Sequence, residues 1–237
     1  MKFPDPLIKG TLIKRYKRFL ADIELDDGRL ITAHCANSGS MLSVKETGSE
    51  VWLSHARNPK RKLKYTWELI VVGGALVGIN TALPNALAEE AVKGGTVPEL
   101  AGYETLRREV KYGKNSRIDL LLQDTSRPDC YVEVKNVTMK RTQSPNEPAE
   151  FPDSVTARGT KHLVELSDMV AAGARAVMLY LVQREDCTGV SIAADIDPVY
   201  AGALDKAVKS GVEVLCYGCN MSTEGIHVQG PVIFKKT

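Results

Sequence analysis

Asp119, Glu133 and Lys135 are the residues in this chain whose types and spacing suggest chemistry most directly. They fall in two apolar runs, Ser116–Gln123 and Cys130–Val137, joined by a polar turn rich in Asp, Ser and Pro, and that pattern predicts a β-hairpin. Strand side chains alternate faces, so Arg117 and Asp119 share one face of the first strand, and Tyr131, Glu133 and Lys135 share one face of the second. A turn centred on Ser126 sets Asp119 opposite Glu133 and Arg117 opposite Lys135. Two carboxylates facing across an antiparallel pair repel. A divalent cation reverses that sign, because carboxylate oxygens are the ligands magnesium and manganese prefer. Lys135 would then stand beside the ion, where an ammonium orients a water or stabilises charge developing on a phosphoryl group. A plain exposed hairpin face of charged residues is the alternative that the surroundings must argue against.

The elements that position such a site begin with the composition. The chain has 237 residues, 43% hydrophobic and 25% charged, as in an ordinary globular protein of one large or two small domains. The net charge of +2 gives no global basic field, so any nucleic-acid surface must come from local clusters. No apolar run reaches the ~20 residues of a membrane span. The N-terminus lacks a signal-like apolar segment, and the five cysteines lack the spacing of a disulfide framework; both point to a cytoplasmic protein. Cys216-x-x-Cys219 is a single pair, short of a zinc site.

Residues 1–82 read as short strands with glycine turns, which predicts a five-stranded, OB-like barrel. Eight basic residues sit in two short runs there. One is Lys14, Arg15, Lys17 and Arg18 with Tyr16 and Phe19 interleaved; the other is Arg57, Lys60, Arg61 and Lys62. His34 and Asn37 belong to a turn of small donors, His34–Ser40. Basic groups with aromatics suit phosphates and stacked bases, so Lys14, Arg15, Arg18, Phe19, His34, Asn37, Arg57, Arg61 and Lys62 are candidate nucleic-acid contacts. Val72–Asn80 is glycine-rich but fits no phosphate-loop pattern and reads as a hairpin or bulge. Residues 83–237 turn α/β. Asn85 is placed as the cap of a helix over Ala86–Lys93. Glu104 and Glu109 are candidates for a third carboxylate. Met139–Glu150 reads as a polar loop. Helices are expected over Lys161–Ala171 and Pro198–Ser210, a strand buried on both faces over Ala174–Gln183, another at Val212–Tyr217, and an edge strand at Gly225–Phe234. Arg158, Lys161 and His162 cluster at the start of the first of those helices, where N–H groups and cations attract a phosphate; Arg117 adds a further basic contact.

The Asp…Glu-x-Lys spacing resembles the signature of restriction-endonuclease-like PD-(D/E)xK nucleases. Longer motifs are more specific: Arg15-x-x-Arg18-Phe19, His34-x-x-Asn37-Ser38-Gly39, Asn58-Pro59-x-Arg61-Lys62, Thr81-x-x-Pro84-Asn85, Tyr112-Gly113-x-Asn115-Ser116-Arg117-Ile118-Asp119, Tyr131–Thr138 and Phe151–Leu163. Together they resemble the sugar fermentation stimulation protein A family. That resemblance implies an N-terminal OB-like domain, a C-terminal nuclease-like α/β domain with a mixed central sheet, sequence-independent DNA binding and a regulatory link to sugar metabolism, maltose in particular. Ser40 stands where such sequences usually have Arg. Two functional classes follow. One is a magnesium- or manganese-dependent nuclease, with Asp119 and Glu133 as ligands and Lys135 as the catalytic cation; RNA is an alternative substrate to DNA. The other is a non-catalytic DNA-binding regulator on the same scaffold. Nothing in the sequence resembles a recognition helix or a sugar pocket.

Overall fold

In a computed structural model of the chain, residues 1–113, 115–142, 144 and 147–235 are described. Three residues of the expected Met139–Glu150 loop, at 143, 145 and 146, and Lys114 fall outside them, as do the last two residues.

The N-terminal strands are β1 (Ile8–Tyr16), β2 (Leu20–Leu25), β3 (Leu30–Cys35), β4 (Glu50–His55), β5 (Tyr65–Val72) and β6 (Ala75–Gly78). They pair in the order β3-β2-β1-β4-β5-β6, and β3 also pairs with β5, which closes a five-stranded barrel. Inward alternation explains its core: Leu12, Ile23, Leu53, Trp67 and Ile70 are fully buried together. Gly73 and Gly74 turn β5 into β6, so the glycine-rich segment is a hairpin.

The second unit holds α1 (Pro84–Lys93), β7 (Thr105–Tyr112), β8 (Ser116–Asp124), β9 (Arg127–Val137), β10 (Ala149–Phe151), α2 (Ala157–Ala171), β11 (Arg175–Val182), β12 (Gly189–Ile192), α3 (Pro198–Lys209), β13 (Glu213–Met221), β14 (Ile226–Pro231) and β15 (Ile233–Lys235). A mixed sheet runs β14-β13-β11-β9-β8-β7, and β10, β12 and β15 form a small parallel sheet. The central strands β9, β11 and β13 are parallel. Side-chain alternation on β11 divides the core. Val177, Leu179 and Leu181 pack with α1, whereas Ala176, Met178, Tyr180 and Val182 pack with α2 and α3. Glu133, flanked on β9 by Val132 and Val134 of the α1 side, therefore faces α2.

Several expectations change in detail. Asn85 does not cap α1: Pro84 opens the helix, with Leu83 as a cap residue that makes no side-chain bond. The α2 helix begins four residues earlier than its periodicity suggests, capped by Thr156, whose hydroxyl accepts from the Gly159 N–H. The expected Gly225–Phe234 strand is two strands in different sheets. Cys216 and Cys219 pack into different core clusters on opposite faces of β13, so they cannot share an ion.

The barrel is joined to the second unit through its last strand. Gly78 N–H donates to the Gln183 carbonyl at 2.9 Å, and Val77 bridges to Arg184. Gln183 is fully buried there. Leu69 of β5 joins the core cluster of α1. No helix among the described residues is long and apolar enough to cross a membrane.

Candidate active site

The register between β8 and β9 runs Leu122↔Cys130, Leu121↔Tyr131 and Leu120↔Val132, so the next step sets Asp119 against Glu133. There the ladder ends. Asp119 Oδ2 accepts the Val134 N–H at 2.7 Å, so the side chain takes the place of a backbone partner. On the other flank, β7 pairs Arg108↔Leu120 and Val110↔Ile118, leaving Glu109 opposite Asp119. Glu109 has φ +54°, a left-handed backbone that a residue with a Cβ adopts only under constraint. Asn85 Nδ2 supplies part of that constraint, donating to Glu109 Oε1 at 3.0 Å and to Asp119 Oδ1 at 2.8 Å.

Glu133 is only 2% exposed. Its Oε1 accepts from Lys135 Nζ at 2.7 Å and contacts His162 Nδ1, while Oε2 has no hydrogen-bond partner. Burial pushes Glu133 up, but the hydrogen bond from His162 and the charge of Lys135 outweigh it and hold the carboxyl below its usual range. Asp119 goes the other way. Burial first, and the Glu133 charge second, raise it from 3.8 to about 6. Two adjacent acids are thus pushed apart, a pattern that functional sites share.

These groups line a cavity of about 450 Å³ between the barrel and the second unit. The barrel contributes Asn37, Ser38 and Gly39, and the second unit Asp153, Thr156 and Arg158. Arg158 Nε donates to His162 Nε2 at 3.4 Å, so one α2 side chain orients the next. Among the described residues, no three His, Cys, Asp or Glu side chains stand close enough to chelate an ion by themselves. An ion held by Asp119 and Glu133 would complete its shell with water and substrate oxygens, as magnesium habitually does.

The structure therefore brings together Asp119, Glu133, Lys135, Glu109, Arg158 and His162 and leaves other expected residues apart. Glu104 lies at the far end of the hairpin, accepting from Thr125 at 3.1 Å, because antiparallel pairing carries it toward the turn. Arg117 is exposed on β8 with its guanidinium on the Glu109 carbonyl, and Lys161 reaches Asn115 and Glu165 instead of the cavity. His162 lines the cavity but is buried, with its ring on Glu133 and Arg158. Arg15 spends its guanidinium on the carbonyls of Arg18, Asn37 and Gly39. Asn37 is buried, folding its own loop through Gly39 N–H and Ile79 O. Arg57 is paired with Asp5 at 2.8 Å. Lys14, with Asp22 at 3.5 Å, keeps most of its side chain exposed. Arg18 and Phe19 are exposed beside it. His34, Arg61 and Lys62 line a shallow hollow of their own on the barrel. Burial and the Arg61 charge push His34 down. Asn85, Asp153 and Thr156 join the site through the fold; the one signal for them in the sequence is that they lie inside the family motifs.

Two family models match the chain: the SfsA N-terminal OB domain over residues 13–79 and the sugar fermentation stimulation protein RE domain over residues 82–225. The chain belongs to the sugar fermentation stimulation protein family. A homolog from Paramagnetospirillum magneticum is 60% identical over 237 residues, covering 100% of this chain and 99% of its own. One from Rhodospirillum rubrum is 61% identical over 228 residues, 93% of each chain. The structure of Pyrococcus furiosus SfsA in complex with Ca2+ superposes with a TM-score of 0.89 at 24% identity, over 99% of this chain and 98% of that one, which establishes the family fold: an OB barrel followed by a restriction-endonuclease-like mixed-sheet domain.

Proposed function

We propose that this protein is a divalent-cation-dependent phosphodiesterase acting on nucleic acid, its two domains meeting at residues 82/83. The observation that carries the reading is Glu133: a carboxylate 2% exposed, lining a cavity beside Asp119, with Oε2 unpartnered. A buried acceptor without a donor is costly, and so are two adjacent acids; one cation relieves both. Magnesium or manganese bound there supplies Lewis acidity and a water of lowered pKa. The calcium in the Pyrococcus furiosus structure supports a divalent site on this fold.

The protein's own groups perform the rest. Val134 N–H and Asn85 fix both oxygens of Asp119, and Lys135 with His162 fixes one oxygen of Glu133, leaving the other without a hydrogen-bond partner. Glu109, held by Asn85, adds a third carboxylate at the rim. Lys135 Nζ stabilises the negative charge that grows on the phosphoryl oxygens. Arg158 holds a neighbouring phosphate. On the barrel, Lys14, Arg18, Phe19, His34, Arg61 and Lys62 bind the strand without reading its sequence. The family's sugar-fermentation name, and the maltose link with it, we assign to an effect exerted through nucleic acid. Five unpaired cysteines support a reducing compartment, and we place the protein in the cytoplasm.

The test is cleavage of labelled DNA and RNA with magnesium, manganese or EDTA, comparing wild type with Asp119→Ala and Lys135→Ala. Metal-dependent products lost in both variants, with binding retained, support the reading. Binding without products in every lane replaces it with a non-catalytic regulator.

A further inference from the structure

We infer that the site takes an unpaired polynucleotide strand and excludes a duplex. The inference rests on the phosphodiesterase reading and adds to it the form of the substrate.

The carboxylates lie at the bottom of a roofed cavity. The roof is the barrel loop that follows β3, and it is pinned from both sides. From the barrel, the Arg15 guanidinium donates to the Asn37 and Gly39 carbonyls, both at 2.9 Å, and Asn37 Nδ2 ties the loop to Ile79 O. From the second unit, Asp153 Oδ2 accepts the Met41 N–H at 2.7 Å, the Asp153 carbonyl accepts from Ser40 Oγ at 2.8 Å, and Ser43 Oγ accepts the Lys140 N–H at 3.0 Å. Met41 and Ser43 carry φ of +53° and +69°, so the loop is held in a conformation its residues would leave if released. The packing is tight: a Cβ on Gly39 would stand 3.0 Å from Asn37 Oδ1 and 3.1 Å from Asp153 Oδ2. Ser40 is one of the pins.

Under that roof the cavity holds about 450 Å³, the size of pocket that takes one small ligand. The acid beneath the loop, Glu133, is only 2% exposed, so a phosphate must be fed in past the loop to approach it. A phosphate on a duplex arrives with the rigid cylinder attached and stops at the rim, short of the buried Glu133. A single strand rotates about its own backbone and can insert one nucleotide, which is how enzymes reach atoms that a duplex shields.

The way out of the cavity fits a strand as well. Thr81 N–H and Oγ1 both donate to the Ala36 carbonyl, at 3.0 and 2.7 Å, forming a low ridge. The carboxylate cavity lies on one side of this ridge, and the hollow of His34, Arg61 and Lys62 on the other. A chain crossing it carries its phosphates from an acidic, cation-dependent site to a basic one, with the His34 ring available to a base.

One labelled sequence, offered as single strand, blunt duplex and duplex with an unpaired tail, in DNA and in RNA, tests this with wild-type protein in manganese. Expected are products from the single strand and from the tail, formed roughly tenfold or more faster than from the blunt duplex. Equal rates on blunt duplex and single strand overturn the inference and leave the phosphodiesterase standing. If no form is cut, the phosphodiesterase reading fails, and competition in EDTA still decides: unlabelled single strand, but not blunt duplex, should displace the labelled single strand from the protein, and equal displacement overturns the inference.

Discussion

Asp119→Asn should make the cation-free protein more stable above neutral pH, although it removes a proposed metal ligand. Burial and the Glu133 charge move the Asp119 carboxyl from 3.8 to about 6, so ionising it in the folded state at pH 8 costs about 3 kcal/mol. The folded-state pKa is raised, so the protonated form contributes stability that is fully present below pH ~4 and is lost as the pH rises through about 6. Asparagine carries no charge to bury. It offers one carbonyl oxygen where the Val134 N–H and the Asn85 amide converge on two, and losing one such bond costs about 1 kcal/mol. The net gain for the variant is about 2 kcal/mol at pH 8, falling to about 0.5 kcal/mol at pH 5 as wild-type Asp119 becomes protonated. Urea denaturation of both proteins in EDTA at the two pH values measures it. Manganese should reverse the order at pH 8, because the ion stabilises whichever folded state binds it. A variant less stable than wild type by the same amount at both pH values refutes the reasoning, since Asp119 would then be an ordinary hydrogen-bonded carboxylate.

Lys135→Met leaves His162 as the remaining hydrogen-bond partner of Glu133 Oε1; unfolding should show a loss of about 1–3 kcal/mol, and single-turnover assays a cleavage rate about 10²–10³-fold lower. Gly78→Ala places a Cβ 2.5 Å from Gln183 Oε1 and 3.1 Å from its Cβ at the junction of barrel and second unit, which should cost about 1–3 kcal/mol of stability measured by denaturation. Lys62→Ala, on the exposed rim of the barrel hollow, should weaken single-strand binding and lower the slope of log affinity against log salt by about 1, read by fluorescence anisotropy.

The parts of this fold that sequence revealed are those governed by local period. Alternation fixed the hairpin register, so Ser126 as turn centre correctly opposed Asp119 and Glu133, although a shift beyond Leu122 makes the turn itself Asp124↔Arg127. The continuous apolar run of β11 announced a strand covered on both faces. Contacts made across the fold were not legible. His162 read as a phosphate contact because its neighbours are basic, yet helical geometry turns it inward onto Glu133 while Lys161 stays outside. Asn85 read as a helix cap because it precedes a helix, yet Pro84 fills that role and frees its amide to bridge Glu109 and Asp119. Arg15, Asn37 and Arg57 have the composition of a binding surface, but their partners are backbone carbonyls and Asp5, which no count of charges reveals. Glu104 and Glu109 were equivalent candidates until the β7–β8 register set one at the turn and the other beside Asp119.

The claim on which the rest depends is that Asp119 and Glu133 hold a divalent cation. Calorimetric titration of manganese into wild type and Glu133→Gln, at pH 8 and without nucleic acid, tests it directly. The account predicts saturable binding by wild type and affinity weakened about tenfold or more in the variant, whose neutral amide replaces a ligand oxygen. Equal binding by both proteins, or none by wild type, would contradict it.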